Sequence, residues 1–235
     1  MRVVTIIPTY NEGRKIEKVI SRVPPGVSDE VVVVDDGSAV PLEETLKGLP
    51  ITILRHQKNR GVGASIRTGL EYGLKKDFDV VVIMAGNGKD DPEEIPRLLE
   101  PIVSGKADYV IGSRFAPGGR SVNLPVGRHM AIKILSWLYS SLGDFRITDI
   151  TNGFRAYRLA IIRDERIRIW QDWLNRYEME CYIFHKAVKF KYRAIEVPVS
   201  KVYPAHRVDI SKIRPIADGW RMVRFIIYLA LKIKD

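Results

Sequence analysis

The sequence predicts an α/β fold, a mostly parallel sheet flanked by helices with amphipathic helices toward the C-terminal end. Up to about residue 115, short β-branched runs alternate with helical patterns, the rhythm of strand–helix–strand units. Those runs are nearly continuous in valine and isoleucine, as strands covered on both faces require. The 235 residues suffice for one well-packed domain.

In order, "RVVTII" reads as a strand, "NEGRKIEKVISRV" as a helix, "EVVVVD" as a strand and "PLEETLKGL" as a helix. "ITILRH", "GASIRTGLEYGLKK", "DVVVIM", "PEEIPRLLEPIVSG" and "DYVIGS" continue the alternation. Ligands of such sheets sit beyond the carboxyl ends of the strands. The loops "PTYNE", "DDGS", "AGNGKDD" and "GSRFAPGG" are therefore expected to meet at one rim. After Gly119 the pattern changes. "GRHMAIKILSWLYSSLG" puts Met130, Ile134, Leu135, Leu138 and Leu142 on a helical stripe flanked by Trp137 and Tyr139. "ITDITNGFRAYR" reads as loop and short strand, much of 171–190 as a helix, "YRAIEVPVS" as a strand, and about 215 to 233 as a last helix. With no internal repeat or linker, 1–235 is expected to be a single domain. Its parts are a nucleotide-binding half (1–119), an acceptor-side half (120–215) and a C-terminal amphipathic helix (216–235).

A formal net charge of +10 on a chain of ordinary apolar content implies anionic partners: nucleic acid, nucleotides, phosphorylated lipids or membrane surfaces. Nucleic acid is set aside, because no basic strand interleaved with aromatics appears. Cys181 is the only cysteine, which excludes an intramolecular disulfide and reads as a buried structural thiol. A strand starting within two residues of Met1 leaves no room for a leader segment. The run "FIIYLAL" falls far short of the roughly 20 residues a bilayer span needs. A cytoplasmic protein with peripheral membrane contact is expected.

Several motifs bear on chemistry. "PTYNE" ends the first strand where helix N–H groups attract anions, though a plain cap and turn read equally well. "VVVVDDGS" closes a strand with Asp35 and Asp36, acceptors suited to base N–H or ribose hydroxyl groups; one of them could instead cap the turn. "NRGVGASIRTG" lacks the third glycine of a dinucleotide fingerprint and the G-K-[ST] of a Walker loop. Its glycines read as close backbone packing, with Arg60 or Arg67 available to phosphate. Arg114 in "GSRF" and Arg128 at the next helix offer planar donors suited to diphosphate. The four histidines have no metal-ligand spacing, and no G-x-S-x-G elbow occurs.

Taken together, "VVTIIPTYNEGRKI", "EVVVVDDGS", "NRGVGASIRTGLEYG", "VVIMAGNGKDDPEEIPRLL", "IGSRFAPGG", "TDITNGFRAYR" and "YRAIEVPVSKVYP" resemble, in order, the inverting family-2 glycosyltransferases of the GT-A, Rossmann-like fold. Dolichyl- and polyprenyl-phosphate sugar synthases are the nearest resemblance. The resemblance implies transfer of a sugar from a GDP- or UDP-sugar to a lipid phosphate with inversion. It also implies that Pro8, Tyr10, Glu12 and Asp35 or Asp36 hold the nucleoside, with Gly86, Asn87 and Lys89 of the next loop in the donor site. Arg114 and Arg128 would face diphosphate or acceptor phosphate, and Ser211 and Lys212, together with Arg207, would close over the site. Related enzymes carry additional transmembrane helices; here a membrane-protein partner, a second copy of the chain or peripheral binding would anchor the enzyme.

The chemistry can be argued from charge alone. Sugar transfer requires positive charge at a departing diphosphate. A lipid phosphate, with a second pKa of roughly 6, is already anionic and needs no base. A hydroxyl acceptor on a glycan or other molecule would need a carboxylate, and Asp149 and Glu180 are the candidates. A non-catalytic nucleotide-sugar-binding relative is the remaining alternative.

In the family resembled, the loop after the fourth strand carries Asp-x-Asp and then a glutamine two residues on; here Ala85, Asn87 and Lys89 stand in those places. Asp91 reads as the N-cap of "DPEE", with Pro92 at the first helical position and Glu94 in a capping box. Two expectations follow. Asn87 and Asp90 retain a weaker Mg²⁺ or Mn²⁺ site, or Lys89 supplies the positive charge itself.

Overall fold

A computed structural model describes residues 1–142, 145–204 and 215–230. Its strands are β1 (Val3–Thr9), β2 (Glu30–Asp35), β3 (Thr52–Arg55), β4 (Val80–Ile83), β5 (Tyr109–Ser113), β6 (Arg120–Val122), β7 (Arg155–Arg158), β8 (Ala194–Pro198) and β9 (Ser200–Val202). The helices are α1 (Lys15–Ser21), α2 (Leu42–Thr45), α3 (Val62–Lys75), α4 (Ile95–Val103), α5 (Val126–Ser140), α6 (Ala160–Arg163), α7 (Glu178–Lys189) and α8 (Pro215–Ala230). Among the described residues, seven strands form one sheet in the order β3-β2-β1-β4-β7-β5-β8, and β6 pairs with β9 beside it. All of the seven run parallel except β7, which is antiparallel to both β4 and β5. The mostly parallel sheet is as expected; the sheet also interleaves strands from before and after residue 119.

Successive residues of the valine and isoleucine runs go to opposite faces. Ile6, Val32, Val34 and Val81 join one core with Ile66 and Leu70 of α3, Met179 and Phe184 of α7 and Phe225 of α8. Ile7, Val33, Val82 and Val110 join the other with Ile16 and Val19 of α1 and Leu98 and Ile102 of α4. Burial on both faces is why these strands show no polar alternation.

Three elements differ from expectation. The helix anticipated over much of 171–190 starts at Glu178, after a 3₁₀ turn at Asp172–Leu174. The intervening backbone serves α3 instead: Ala64 N–H donates to the Asn175 carbonyl at 3.2 Å. The strand "YRAIEVPVS" stops at Pro198, and the chain turns into β9 to pair with β6. On α5 the apolar stripe divides. Leu135, Leu138 and Leu142 pack on the core, whereas Met130 and Ile134 are exposed along with Val126 and Trp137.

Candidate active site

The rim loops do meet, and backbone hydrogen bonds show how. Asp36 N–H donates to the Thr9 carbonyl (2.9 Å) and Gly86 N–H to the Pro8 carbonyl (3.2 Å), tying "PTYNE" to the loops after β2 and β4. Asn11, at φ 50°, receives Ala39 N–H on its Oδ1 and donates its own N–H to Ser38 Oγ, each at 2.9 Å. Gly37 takes φ 75° beneath Lys58, whose backbone lies 2.6 Å from where a Cβ would stand. No other residue fits there. Tyr10 and Glu12 sit half-buried at this junction, and the charge of Glu12 favours the ammonium form of Lys89.

Asp35 and Asp36 are buried, and each oxygen has a protein partner. Asp35 receives Ser38 N–H and the Arg55 guanidinium at 2.9 and 2.7 Å. Asp36 receives Arg60 and Gly61 N–H and pairs with His56 at 2.8 Å. Burial opposes ionisation of Asp36, but the hydrogen bonds from His56, Arg60 and Gly61 outweigh it and hold its carboxyl below the usual range. The G-x-G segment is close packing, as expected: a Cβ on Gly61 or Gly63 would lie 2.3 or 2.1 Å from the carbonyl oxygen of Asn175 or Leu174.

Arg114 is turned inward. Its Nε and Nη2 each donate to Asp149 at 2.6 Å, Nη1 donates to the Tyr203 hydroxyl, and Nη2 also reaches Thr151. Burial works against this guanidinium, yet the Asp149 pair outweighs it and keeps it above its ordinary pKa. Asp149 is fully buried and occupied by Arg114 on both oxygens. Glu180 is mostly buried, 3.8 Å from the Arg155 guanidinium, and its Oε1 has no hydrogen-bond partner. Burial pushes its carboxyl up to about 7.

A cationic cluster surrounds Tyr203. Lys89 Nζ lies 5.7 Å and Arg128 Cζ 5.3 Å from its ring centroid, within cation–π range. Burial first, then the charges of Arg128 and Lys201, push Lys89 down to about 8. Lys201 donates to Asp90 Oδ1 at 2.7 Å and to Asn152 Oδ1 at 2.9 Å. Sequence reasoning passed over Lys201, Tyr203 and Asn152. A signal existed for two of them: Val199, Lys201 and Tyr203 alternate, placing all three on one side of an extended segment. Arg207, Ser211 and Lys212 lie outside the described residues.

The loop 85–91 does not fit a two-carboxylate cation site. Ala85 has no ligand atom, and Asn87 Oδ1 accepts Lys89 N–H at 3.1 Å. Asp91 accepts Glu93 N–H as the expected N-cap. Asp90 offers one unpartnered buried oxygen, Oδ2, beside a lysine ammonium. Among the described residues, no three His, Cys, Asp or Glu side chains converge as a metal-binding group. A hard divalent cation takes six or more oxygens, several of them from water and a ligand's phosphates. The loop's share is limited to Asn87 and Asp90, whose oxygens already serve Lys89 N–H and the Lys201 ammonium except for Asp90 Oδ2.

Residues 4–167 match the family described as Glycosyl transferase family 2. The chain belongs to that family. It is accordingly a glycosyltransferase, with the expected fold. It is 34% identical over 213 residues to an undecaprenyl-phosphate mannosyltransferase of Micrococcus luteus, covering 86% of this chain and 84% of the relative. Identity to the polyprenol monophosphomannose synthase of Mycolicibacterium smegmatis is 31% over 218 residues, covering 90% and 80%. Among solved structures, glucosyl-3-phosphoglycerate synthase from Mycobacterium tuberculosis in complex with Mn²⁺, UDP and glucosyl-3-phosphoglycerate superposes with a TM-score of 0.71 at 17% identity, covering 100% of this chain and 81% of that one. The same enzyme with Mg²⁺ and UDP gives 0.71 at 18%, covering 100% and 80%. Divalent cations thus occur in structures of this fold.

Proposed function

We propose that this glycosyltransferase moves a sugar from a nucleoside-diphosphate sugar to a polyprenyl or dolichyl phosphate, with inversion at the anomeric carbon. The observation that carries the acceptor class is the state of the two candidate bases. Asp149 is consumed by Arg114, and Glu180 is held in a buried position beside Arg155. A hydroxyl acceptor needs a carboxylate to take its proton; a phosphate acceptor brings its own anionic oxygen. Relatives named for undecaprenyl phosphate and polyprenol support the same acceptor.

On this reading Pro8, Tyr10 and Glu12, with the Asp35–Asp36 turn, form the nucleoside end of the site. Gly86, Asn87 and Lys89 border the sugar diphosphate. Lys89 and Arg128 stabilise the charge that develops as the diphosphate departs, the largest electrostatic demand of the reaction. Arg114 acts through Asp149, Thr151 and Tyr203 as a positioning residue. Ser211, Lys212 and Arg207 keep their proposed role at the acceptor side. Asn87 and Asp90 are the loop's remaining oxygen donors for a cation; since they fit one poorly, no step is routed through it.

Membrane contact is peripheral on this reading, at the cytoplasmic face. Among the described residues no helix is long and apolar enough to cross a bilayer. The exposed Val126, Met130, Ile134 and Trp137 of α5 support contact with the interface. The test is radiolabelled transfer from a panel of GDP- and UDP-sugars to a polyprenyl phosphate. Labelled lipid is the expected product; no transfer to any lipid phosphate overturns the acceptor assignment.

A further inference from the structure

Solved structures of this fold are complexes with UDP and Mn²⁺ or Mg²⁺, whereas the loop 85–91 here is short of oxygen ligands and its Asp90 is held by a lysine. We propose that the Lys201 ammonium, fixed by Asp90 and Asn152, stands in for a divalent cation toward the donor's diphosphate, so that this chain binds nucleoside diphosphates without metal. The inference rests on the nucleotide-sugar reading of the site.

Lys201 is placed by backbone rather than by chance of side-chain conformation. Asp90 and Lys201 form an antiparallel bridge, and Val202 N–H donates to the Lys89 carbonyl at 2.9 Å, so β9 is strapped to the loop that borders the donor. The Lys201 side chain is 11% exposed, and two acceptors hold its ammonium. An ammonium has three donors, which leaves one for a phosphate oxygen. The neighbouring cations are crowded: Lys89 Nζ and Arg128 Cζ lie 5.7 and 5.3 Å from the Tyr203 ring centroid, and Lys89 is adjacent to Asp90, the bridge partner of Lys201. Such crowding of like charge is relieved by an anion. Arg114 is not a competitor for this role, because Asp149 occupies its guanidinium.

Charge arithmetic agrees. Two carboxylates with a divalent cation sum to zero, and so does one carboxylate with one ammonium. With Ala85 and Asn87 in place of Asp-x-Asp, a divalent cation would leave two positive charges uncompensated by the loop, whereas the Asp90–Lys201 pair is neutral without one. The buried Asp90 Oδ2 remains open to a hydroxyl donor of the ligand.

The experiment is calorimetric titration of the full chain with GDP, UDP, ADP, CDP and dTDP, in chelator and then in Mg²⁺ or Mn²⁺. A Mn²⁺ paramagnetic-resonance titration of the protein with each nucleotide runs in parallel. For the nucleotide that binds, affinities with and without metal agree within about twofold, and Lys201→Met weakens binding about ten- to hundredfold in both, the value of a charge-assisted hydrogen bond. Lys201→Arg retains most of the affinity. Lys201→Met alone leaves Asp90 buried without its partner, so the double variant Lys201→Met/Asp90→Asn, checked for an unchanged melting temperature, separates lost binding from lost folding. A tightening of about tenfold or more with Mn²⁺ or Mg²⁺, or an unchanged affinity in the lysine variants, overturns the proposal. Metal-dependent binding would leave the nucleotide-sugar reading standing. No binding of any of the five under either condition removes that reading, and this inference with it.

Discussion

Glu180 and Asp149 are equivalent as letters, and their neighbours make them opposites. Asp149 is paired with the Arg114 guanidinium through both of its oxygens. Arg114→Ala strands that carboxylate in the interior, and a loss of about 3–5 kcal/mol in denaturant unfolding is expected. Glu180 resists ionisation, its carboxyl standing at about 7 against an ordinary 4.5. A raised acid pKa means that the folded state holds the proton more tightly than the unfolded one. Wild-type stability therefore falls as pH climbs from about 4.5 through about 7. Glu180→Gln removes that cost: its melting temperature should match wild type near pH 4 and exceed it above pH 7, with transfer to lipid phosphate retained. Loss of transfer in this variant would restore Glu180 as a base. Neither partnership was legible in the sequence, because Arg114 and Asp149 are 35 residues apart and come together only through the sheet. Lys201 was half legible, since alternation marks its side but not its partner Asp90.

At the level of elements, the rim loops could be read in advance because strands buried on both faces announce themselves, and their ends define where a ligand binds. The G-x-G of α3 was also read correctly as close packing. Gly63 has the Leu174 carbonyl oxygen 2.1 Å from a would-be Cβ, and Gly69 has Ile6 Cγ2 at 2.4 Å. Gly63→Ala must push α3 from the segment that carries Asn175, at a cost of about 1–3 kcal/mol, measurable as a lower urea midpoint with an unchanged slope. Periodicity was less informative for α5. A 3.6-residue pattern reports that apolar residues share a side, not whether that side meets protein or something else. Two of the five stripe residues, Met130 and Ile134, face outward. The antiparallel β7 was equally hidden: "FRAYR" has no local mark of direction, which is set by pairing with β4 and β5.

Over the whole molecule, a basic chain presents one apolar helix side near its cation cluster. Val126, Met130, Ile134 and Trp137 fall within one arc of α5, and Lys133 is exposed beside them. If that side lies in an anionic membrane, Ile134→Ser/Trp137→Ser should lower sedimentation with phosphatidylglycerol vesicles by roughly tenfold or more while nucleotide affinity stays the same. Vesicle association equal to wild type would detach α5 from the membrane. The interleaved sheet has a different kind of consequence, for synthesis. A chain emerging from the ribosome delivers β4 and β5 long before β7 arrives to join them, and β5 gains its other neighbour only when Ala194–Pro198 appears. Until then both strands carry bare edges, and the contacts that would cover them span much of the sequence. Residues 1–119 alone leave β5 without either of its sheet neighbours. Completion of the sheet waits for the later strands to be made, and a nascent chain halted before β7 exposes the pairing edges that chaperones exist to shield.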